Sequence, residues 1–258
     1  MKIAILTLFP EVFEGFLHSS IIRRAIDKKA VSITTVNIRD FTKDRYRRVD
    51  TPPVGGGAGL IMKCQPLVDA INASRTEASH VIMLSPRGER YSQKTAKRLA
   101  DCGDLIIVCG HYEGIDERAN RYVDELVSIG DFILTGGEIA AMAIADSLVR
   151  LQKGAIANES LDEESFESSL LEYPQYTEPY DFNGDKVPDI LYSGNHAAIN
   201  KWRRKKALEI TKVSRPDLFA EVKLEKSDLK LLQESARDET PKWEKIALEK
   251  GHKFIKVK

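Results

Sequence analysis

The sequence predicts an α/β protein. A parallel sheet with covering helices is expected over residues 1–156, followed by a small, mainly helical second domain. Three observations carry this expectation. Short, apolar, β-branched runs alternate with amphipathic stretches along the first half of the chain. Around residue 155 the texture changes to an acidic segment that holds no base. From residue 196 the pattern becomes helical, with one strongly basic stretch.

The strand-like runs are "KIAILTL" (2–8), "VSITTVNI" (31–38), "HVIMLS" (80–85), "DLIIVCG" (104–110) and "ELVSIG" (125–130). Near-continuous apolar runs of this length suit strands buried on both faces of a parallel sheet. The helical stretch "SQKTAKRLADC" (92–102) opens on Ser92 as an N-cap and places Ala96, Leu99 and Ala100 on one face. "EIAAMAIADSLVRL" (138–151) repeats apolar residues at helical spacing, and Thr135-x-x-Glu138 before it reads as a capping box. Residues 157–173 form an acidic linker, with six carboxylates between 159 and 172. The second domain, 174–258, starts irregularly in a segment rich in proline, glycine and aromatics. "HAAINKWRRKKALEITKVSRP" (196–216) then holds seven Lys/Arg against one acid, and two or three further helical segments follow.

Composition bounds the function classes. Of 258 residues, 42% are hydrophobic and 30% charged, as in an ordinary soluble globular protein. Net charge is zero, so bulk charge does not announce a nucleic-acid binder. No apolar run approaches the ~20 residues of a membrane span, and no signal-peptide cleavage pattern follows the N-terminus. A cytoplasmic chain is expected. Cys64, Cys102 and Cys109 show no C-x-x-C spacing, so they read as buried apolar thiols rather than a disulfide framework or a metal site.

Ligands on open α/β sheets bind outside the carboxyl ends of the strands. Three such ends here are dense in glycine and polar groups: "SPRGERY" (85–91), "GHYEGIDER" (110–118) and "SIGDFILTGGE" (128–138). Together they predict one pocket. Standard nucleotide signatures fail: there is no G-x-x-x-x-G-K-[ST], and "GGGAG" (55–59) does not complete G-x-G-x-x-G. By composition that glycine run reads equally well as a surface loop.

At these residues the chain resembles a known family. "LTLFPEVF" (6–13), "GGGAGLIMKCQPL" (55–67), "LSPRGE" (84–89), "CGHYEGIDER" (109–118), "SIGDFILTGGE" (128–138), "LLEYPQYT" (170–177) and "SGNH" (193–196) occur in the order found in bacterial tRNA (guanine-N1)-methyltransferases. These enzymes belong to the SPOUT superfamily of trefoil-knot methyltransferases. The likeness runs to about residue 235, and the tail from 238 is longer than it explains. The resemblance implies a deep C-terminal knot in the sheet domain and a homodimer with the cofactor site near the subunit interface. It implies methylation of N1 of the guanine 3′ of the tRNA anticodon. S-adenosylmethionine is the implied cofactor, and Mg2+ is admitted.

Guanine N1 is protonated at neutral pH, so a base must free its lone pair. Charge then develops on O6, where a cation or donor helps. The resemblance carries the base to Glu164, in "EESF", where the family has an aspartate. The linker between Arg150 and Phe166 is one residue shorter than the family's, which leaves Asp162 and Glu163 as rivals. Arg150 and Glu113 match a catalytic arginine and a pocket glutamate. Cofactor contacts are implied at Leu84, Ser85 and Pro86, at Gly110, Tyr112, Glu113 and Gly114, at Ser128, Ile129, Gly130, Asp131, Phe132, Ile133 and Leu134, and at Gly136 and Gly137. RNA contacts fall on Gly57, Gly59, Arg45, Lys201, Arg203 and Arg204. His111, the pocket's histidine, reads as a structural residue. Two other readings stay open: a different SPOUT methyltransferase acting on ribose or rRNA, and a decayed RNA-binding homologue.

Overall fold

The computed structural model describes residues 1–155, 170–235 and 240–251. The chain divides into two compact units, Met1–Leu161 and Asp162–Lys258. All five expected strands form, as β1 (Lys2–Thr7), β2 (Ser32–Asn37), β5 (His80–Arg90), β6 (Asp104–Val108) and β7 (Glu125–Ser128). They make one parallel sheet in the order β2-β1-β6-β5-β7. A two-stranded ribbon, β3 (Asp50–Thr51) with β4 (Ile61–Met62), flanks the glycine run.

The alternation of strand side chains fills two apolar layers. Ile3, Ile5, Ile82, Leu105, Ile107 and Val127 face one way. They pack on α2 (Ser20–Asp27), α4 (Gln93–Ala100) and α5 (Glu138–Arg150) through Ile22, Leu99, Ile144 and Leu148. Leu6, Val81, Met83, Ile106 and Val108 face the other way, against Leu67 and Ile71 of α3 (Cys64–Ser74) and against Ile38, Val49 and Met62. Helices thus cover both faces, as the unbroken apolar runs require.

Ser92 caps α4 as expected, its Oγ accepting from Thr95 N at 3.3 Å, and Ala96 and Leu99 are buried. Cys109 is buried, while Cys64 and Cys102 are partly so. Two local expectations need correction. β5 does not end at Ser85: it runs to Arg90, with an irregularity in which both Leu84 and Glu89 pair with Val127. The capping box Thr135-x-x-Glu138 does not form. α5 starts from Gly137 without a side-chain cap, because the Glu138 carboxylate turns inward and accepts from Thr7 Oγ1 at 2.8 Å.

The second unit is helical, with helices at His196–Ser214, Pro216–Glu221, Lys226–Ser235 and Lys242–Gly251 among the described residues. A hairpin, Asp181–Phe182 with Asp185–Lys186, precedes them. Leu208, Leu231 and Leu170 form one small core, and Ile190, Trp202 and Ala247 another. The last helix lies within the long tail.

Candidate functional site

β1 and β6 are neighbours, and their connections lead to opposite sides: β1 runs on to edge strand β2, and β6 crosses β5 to edge strand β7. Such a switch point opens a crevice at the carboxyl ends of the strands. The loops expected to bind a ligand leave from this end.

The 110–118 and 128–138 loops are joined backbone to backbone. Gly137 N donates to Gly110 O at 2.8 Å, and His111 and Gly136 form an antiparallel bridge. Gly137 permits this approach: a Cβ there would lie 2.8 Å from Cys109 Cα and 3.0 Å from Gly110 N. The 85–91 loop is held to the same place. Tyr91 N donates to Ser128 O at 2.7 Å, and a Cβ on Gly88 would lie 2.4 Å from Val127 N. The three loops therefore meet, and they bring together Leu84, Ser85, Gly110, Ser128, Ile129, Gly136 and Gly137.

The glycine run is anchored at its far end. Leu60 O accepts from Glu113 N at 3.0 Å, and Gly114 O accepts from Met62 N at 2.9 Å. Gly59 sits at φ +74°, and a Cβ there would strike Glu113 Cγ at 2.3 Å. A side chain there would be strained and would have to displace Glu113. Gly57, at φ +136°, is exposed.

The three carboxylates of "GHYEGIDER" divide into two kinds. Asp116 is held below its usual pKa by the Arg118 guanidinium, with Arg118 N donating to it at 3.0 Å. Glu117 is lowered by Arg87, whose Nη2 donates at 2.7 Å, and by Asn120. Both are structural ion pairs. Glu113 is exposed and takes no hydrogen bond or ion pair from its side chain among the described residues. Tyr112 beside it adopts φ +60°, uncommon without a reason, and accepts from Arg39 Nη2 at 3.3 Å. In the third loop Ser128 and Gly130 are buried, Ile129 and Leu134 half-buried, and Asp131, Phe132 and Ile133 exposed. Pro86 is exposed and Gly114 half-buried. Arg150 is half-buried in the last turn of α5. Asp162, Glu163 and Glu164 lie outside the described residues.

Sequence reasoning passed over three contributors. Glu138 is 7% exposed and Thr7 fully buried, and they bind each other beneath the loops. Gly88 makes the closest backbone approach of the first loop. Glu138 read as a helix cap and Gly88 as one glycine of a loop, and neither pattern says what the residue touches once folded. Burial pushes the Cys109 thiol well above its usual pKa, and the Glu138 carboxylate adds to that; this thiol is packing, not a nucleophile.

The expected RNA-facing cations are largely engaged within their own units. Arg204 donates from Nε and Nη2 to Asp228, both at 2.9 Å. Lys201 Nζ lies 4.5 Å over the Trp243 ring, and Arg203 Cζ 4.8 Å over Tyr173, with Arg203 Nε buried and unpartnered. Arg45 is exposed, its Cζ 5.8 Å from the ring of Tyr46, itself 72% exposed. Among the described residues no group of three or more His, Cys, Asp and Glu is placed to hold a metal ion, and no helix is long and apolar enough to cross a membrane.

A family model described as tRNA (Guanine-1)-methyltransferase TrmD matches residues 1–221. A tRNA (guanine-N(1)-)-methyltransferase of Clostridium perfringens (strain SM101 / Type A) is 52% identical over 235 residues, covering 90% of this chain and 99% of the relative. One from Dictyoglomus turgidum (strain DSM 6724 / Z-1310) is 49% identical over 239 residues, covering 92% and 98%. The matched span contains every loop residue described above, and by it the chain belongs to the tRNA (guanine-1)-methyltransferase family of enzymes.

Proposed function

We propose that this enzyme transfers a methyl group from S-adenosylmethionine to N1 of the guanine immediately 3′ of the tRNA anticodon. The observation that carries this reading is the backbone pairing of the 110–118 and 128–138 loops, with Glu113 held at its edge by the glycine run. The residues suit an adenosyl group. Half-buried Leu84, Ile129 and Leu134 offer apolar surface, Ser85 a hydroxyl and Glu113 a carboxylate, beside the backbone of Gly110, Gly114, Gly130, Gly136 and Gly137. When bound, S-adenosylmethionine supplies an electrophilic methyl group on a sulfonium.

The chain's own groups do the rest. Glu164 takes the proton from guanine N1, Arg150 offsets the negative charge that spreads onto O6, and Glu113 orients the reactants. Much of the rate comes from holding donor and acceptor in line. The loops between Leu84 and Gly137 form the SPOUT trefoil knot, a reading supported by Gly88 passing against the Val127 backbone. Residues 1–156 hold the cofactor, 157–173 supply the base, and 174–258 grip tRNA phosphates with Lys201 and Arg203. Arg45, beside exposed Tyr46, and the Gly57–Gly59 edge face RNA from the first unit. The enzyme works in the cytoplasm as a homodimer. Phe132, Ile133 and Ile139, 55%, 83% and 59% exposed in one protomer, support the dimer; a monomeric mass with full activity contradicts it. No group of three or more His, Cys, Asp and Glu among the described residues is placed to hold Mg2+, so any Mg2+ would act on tRNA or cofactor rather than at a protein site, and activity that survives chelation removes it from the scheme.

The test is transfer of labelled methyl from S-adenosylmethionine to an unmodified tRNA transcript. Transfer is expected with G 3′ of the anticodon and lost when that G is replaced by A. Equal labelling of both transcripts overturns the assignment.

A further inference from the structure

Glu138 has an unfinished partnership. Its Oε1 accepts from Thr7 Oγ1 at 2.8 Å, and its Oε2 faces His111 Nδ1 at 4.0 Å. That is about 1 Å beyond a hydrogen bond. His111 Nδ1 is buried and has no hydrogen-bond partner. A buried polar atom without a partner is rare enough to need a reason. The imidazole is not there by loose rotation. Its ring is flanked by Phe9, with centroids 4.9 Å apart, and by Tyr112 at 5.0 Å, and its backbone N donates to Met62 Sδ at 3.2 Å.

Gly136 shows that the two groups are meant to face each other. A Cβ at Gly136 would lie 2.3 Å from Glu138 Oε2 and 2.6 Å from His111 Nδ1. The missing side chain is the space across which imidazole and carboxylate look. His111 and Gly136 are also the bridging residues of the two cofactor loops. A small closure of one loop on the other converts the 4.0 Å separation into a hydrogen bond. Hydrogen bonds of this kind are often long without ligand and tighten in the complex.

We propose that His111 is a positioning residue: it donates Nδ1–H to Glu138 as the 110–118 and 128–138 loops close on the methyl donor. Thr7 fixes the other carboxylate oxygen to the end of β1, so the closed loops are referred to the rigid sheet. Tyr112 and Glu113 follow His111 directly, and the closure sets their place. The proposal rests on the cofactor assignment given above.

The experiment is titration calorimetry with S-adenosylmethionine on the full chain and on His111→Leu and His111→Asn. The Asn amide presents a donor where Nδ1 stands. His111→Leu is expected to weaken binding about tenfold or more, the scale of one hydrogen bond to a charged group. His111→Asn is expected to stay within about threefold of the parent. Histidine 15N NMR of the parent gives an independent arm: cofactor addition is expected to bring up a slowly exchanging Nδ1 proton on His111. Equal loss in Leu and Asn variants, unchanged binding in His111→Leu, or binding without that proton overturns the role of His111 and leaves the cofactor assignment standing. A parent that does not bind S-adenosylmethionine overturns both.

Discussion

Gly137 is where the 110–118 and 128–138 loops meet, and its role is steric. With only 2.8 Å between a Cβ and Cys109 Cα, Gly137→Ala forces the two backbones apart. Its affinity for S-adenosylmethionine is expected to fall about tenfold or more by calorimetry, since the shift lengthens the Gly137–Gly110 bond and moves the two loops out of their paired position. Gly15→Ala, where a Cβ meets nothing within 4 Å, is the control and should bind as the parent does; equal affinities for both variants would falsify the close-approach argument. Glu164→Gln is expected to leave cofactor binding within a few-fold and to cut methyl transfer by ~100-fold or more, the scale of a lost general base. The deficit should shrink as pH rises and guanine N1 ionises unaided. Activity lost instead in Asp162→Asn or Glu163→Gln moves the base along the linker; activity in all three variants removes it. The three glycine-bearing loops were legible in the sequence because strand ends dense in functional groups stand out, while Glu113 was singled out only by the family likeness. Glu138 was not: an acid at a helix start reads as a cap, and only the packing of α5 against β1 shows that it points inward.

The helices of the second unit carry their own tests. Asp228 is almost fully buried, and the Arg204 guanidinium holds its carboxyl below the usual range. A lowered folded-state pKa stabilises at pH values above the ordinary carboxylate range of ~4, and that contribution fades as pH falls through the lowered value. Asp228→Asn should therefore destabilise the unit by ~1–3 kcal/mol at pH 7, with the gap from the parent narrowing at acid pH, below the ordinary carboxylate range. Denaturant melts at both pH values decide it, and a gap that is constant or widens in acid is the wrong sign. The tail helix Lys242–Gly251 is a second case. Ala247 is 1% exposed and packs with Ile190, Ala198 and Trp202, while Trp243 Nε1 donates to Glu234 at 2.9 Å. Deleting residues 240–258 exposes that core and should lower the unit's calorimetric midpoint by ~5–15 °C; an unchanged midpoint would mean the tail only rides on the surface. The tail's place was not readable because the family likeness ends before it. The hairpin around Asn183–Gly184 was readable, since Asn-Gly between short runs is a hairpin signal, but the surrounding prolines and aromatics masked it.

For the whole molecule, the five strands were legible because burial on both faces leaves unbroken apolar runs. Their order was not, since β2-β1-β6-β5-β7 depends on which edges meet after collapse rather than on any local pattern. The same holds for the site: each loop announced itself, but their backbone pairing is a property of the folded sheet. What the assembled loops are for is the central claim, and the product nucleoside tests it most directly. A tRNA transcript with G 3′ of the anticodon is incubated with the enzyme and S-adenosylmethionine, digested, and its nucleosides identified by mass spectrometry against standards. The account predicts 1-methylguanosine from that position alone, with a matching stop in reverse transcription where the Watson–Crick edge is blocked. A ribose-methylated nucleoside, a methyl group at another guanine atom, or no methylated product would contradict it.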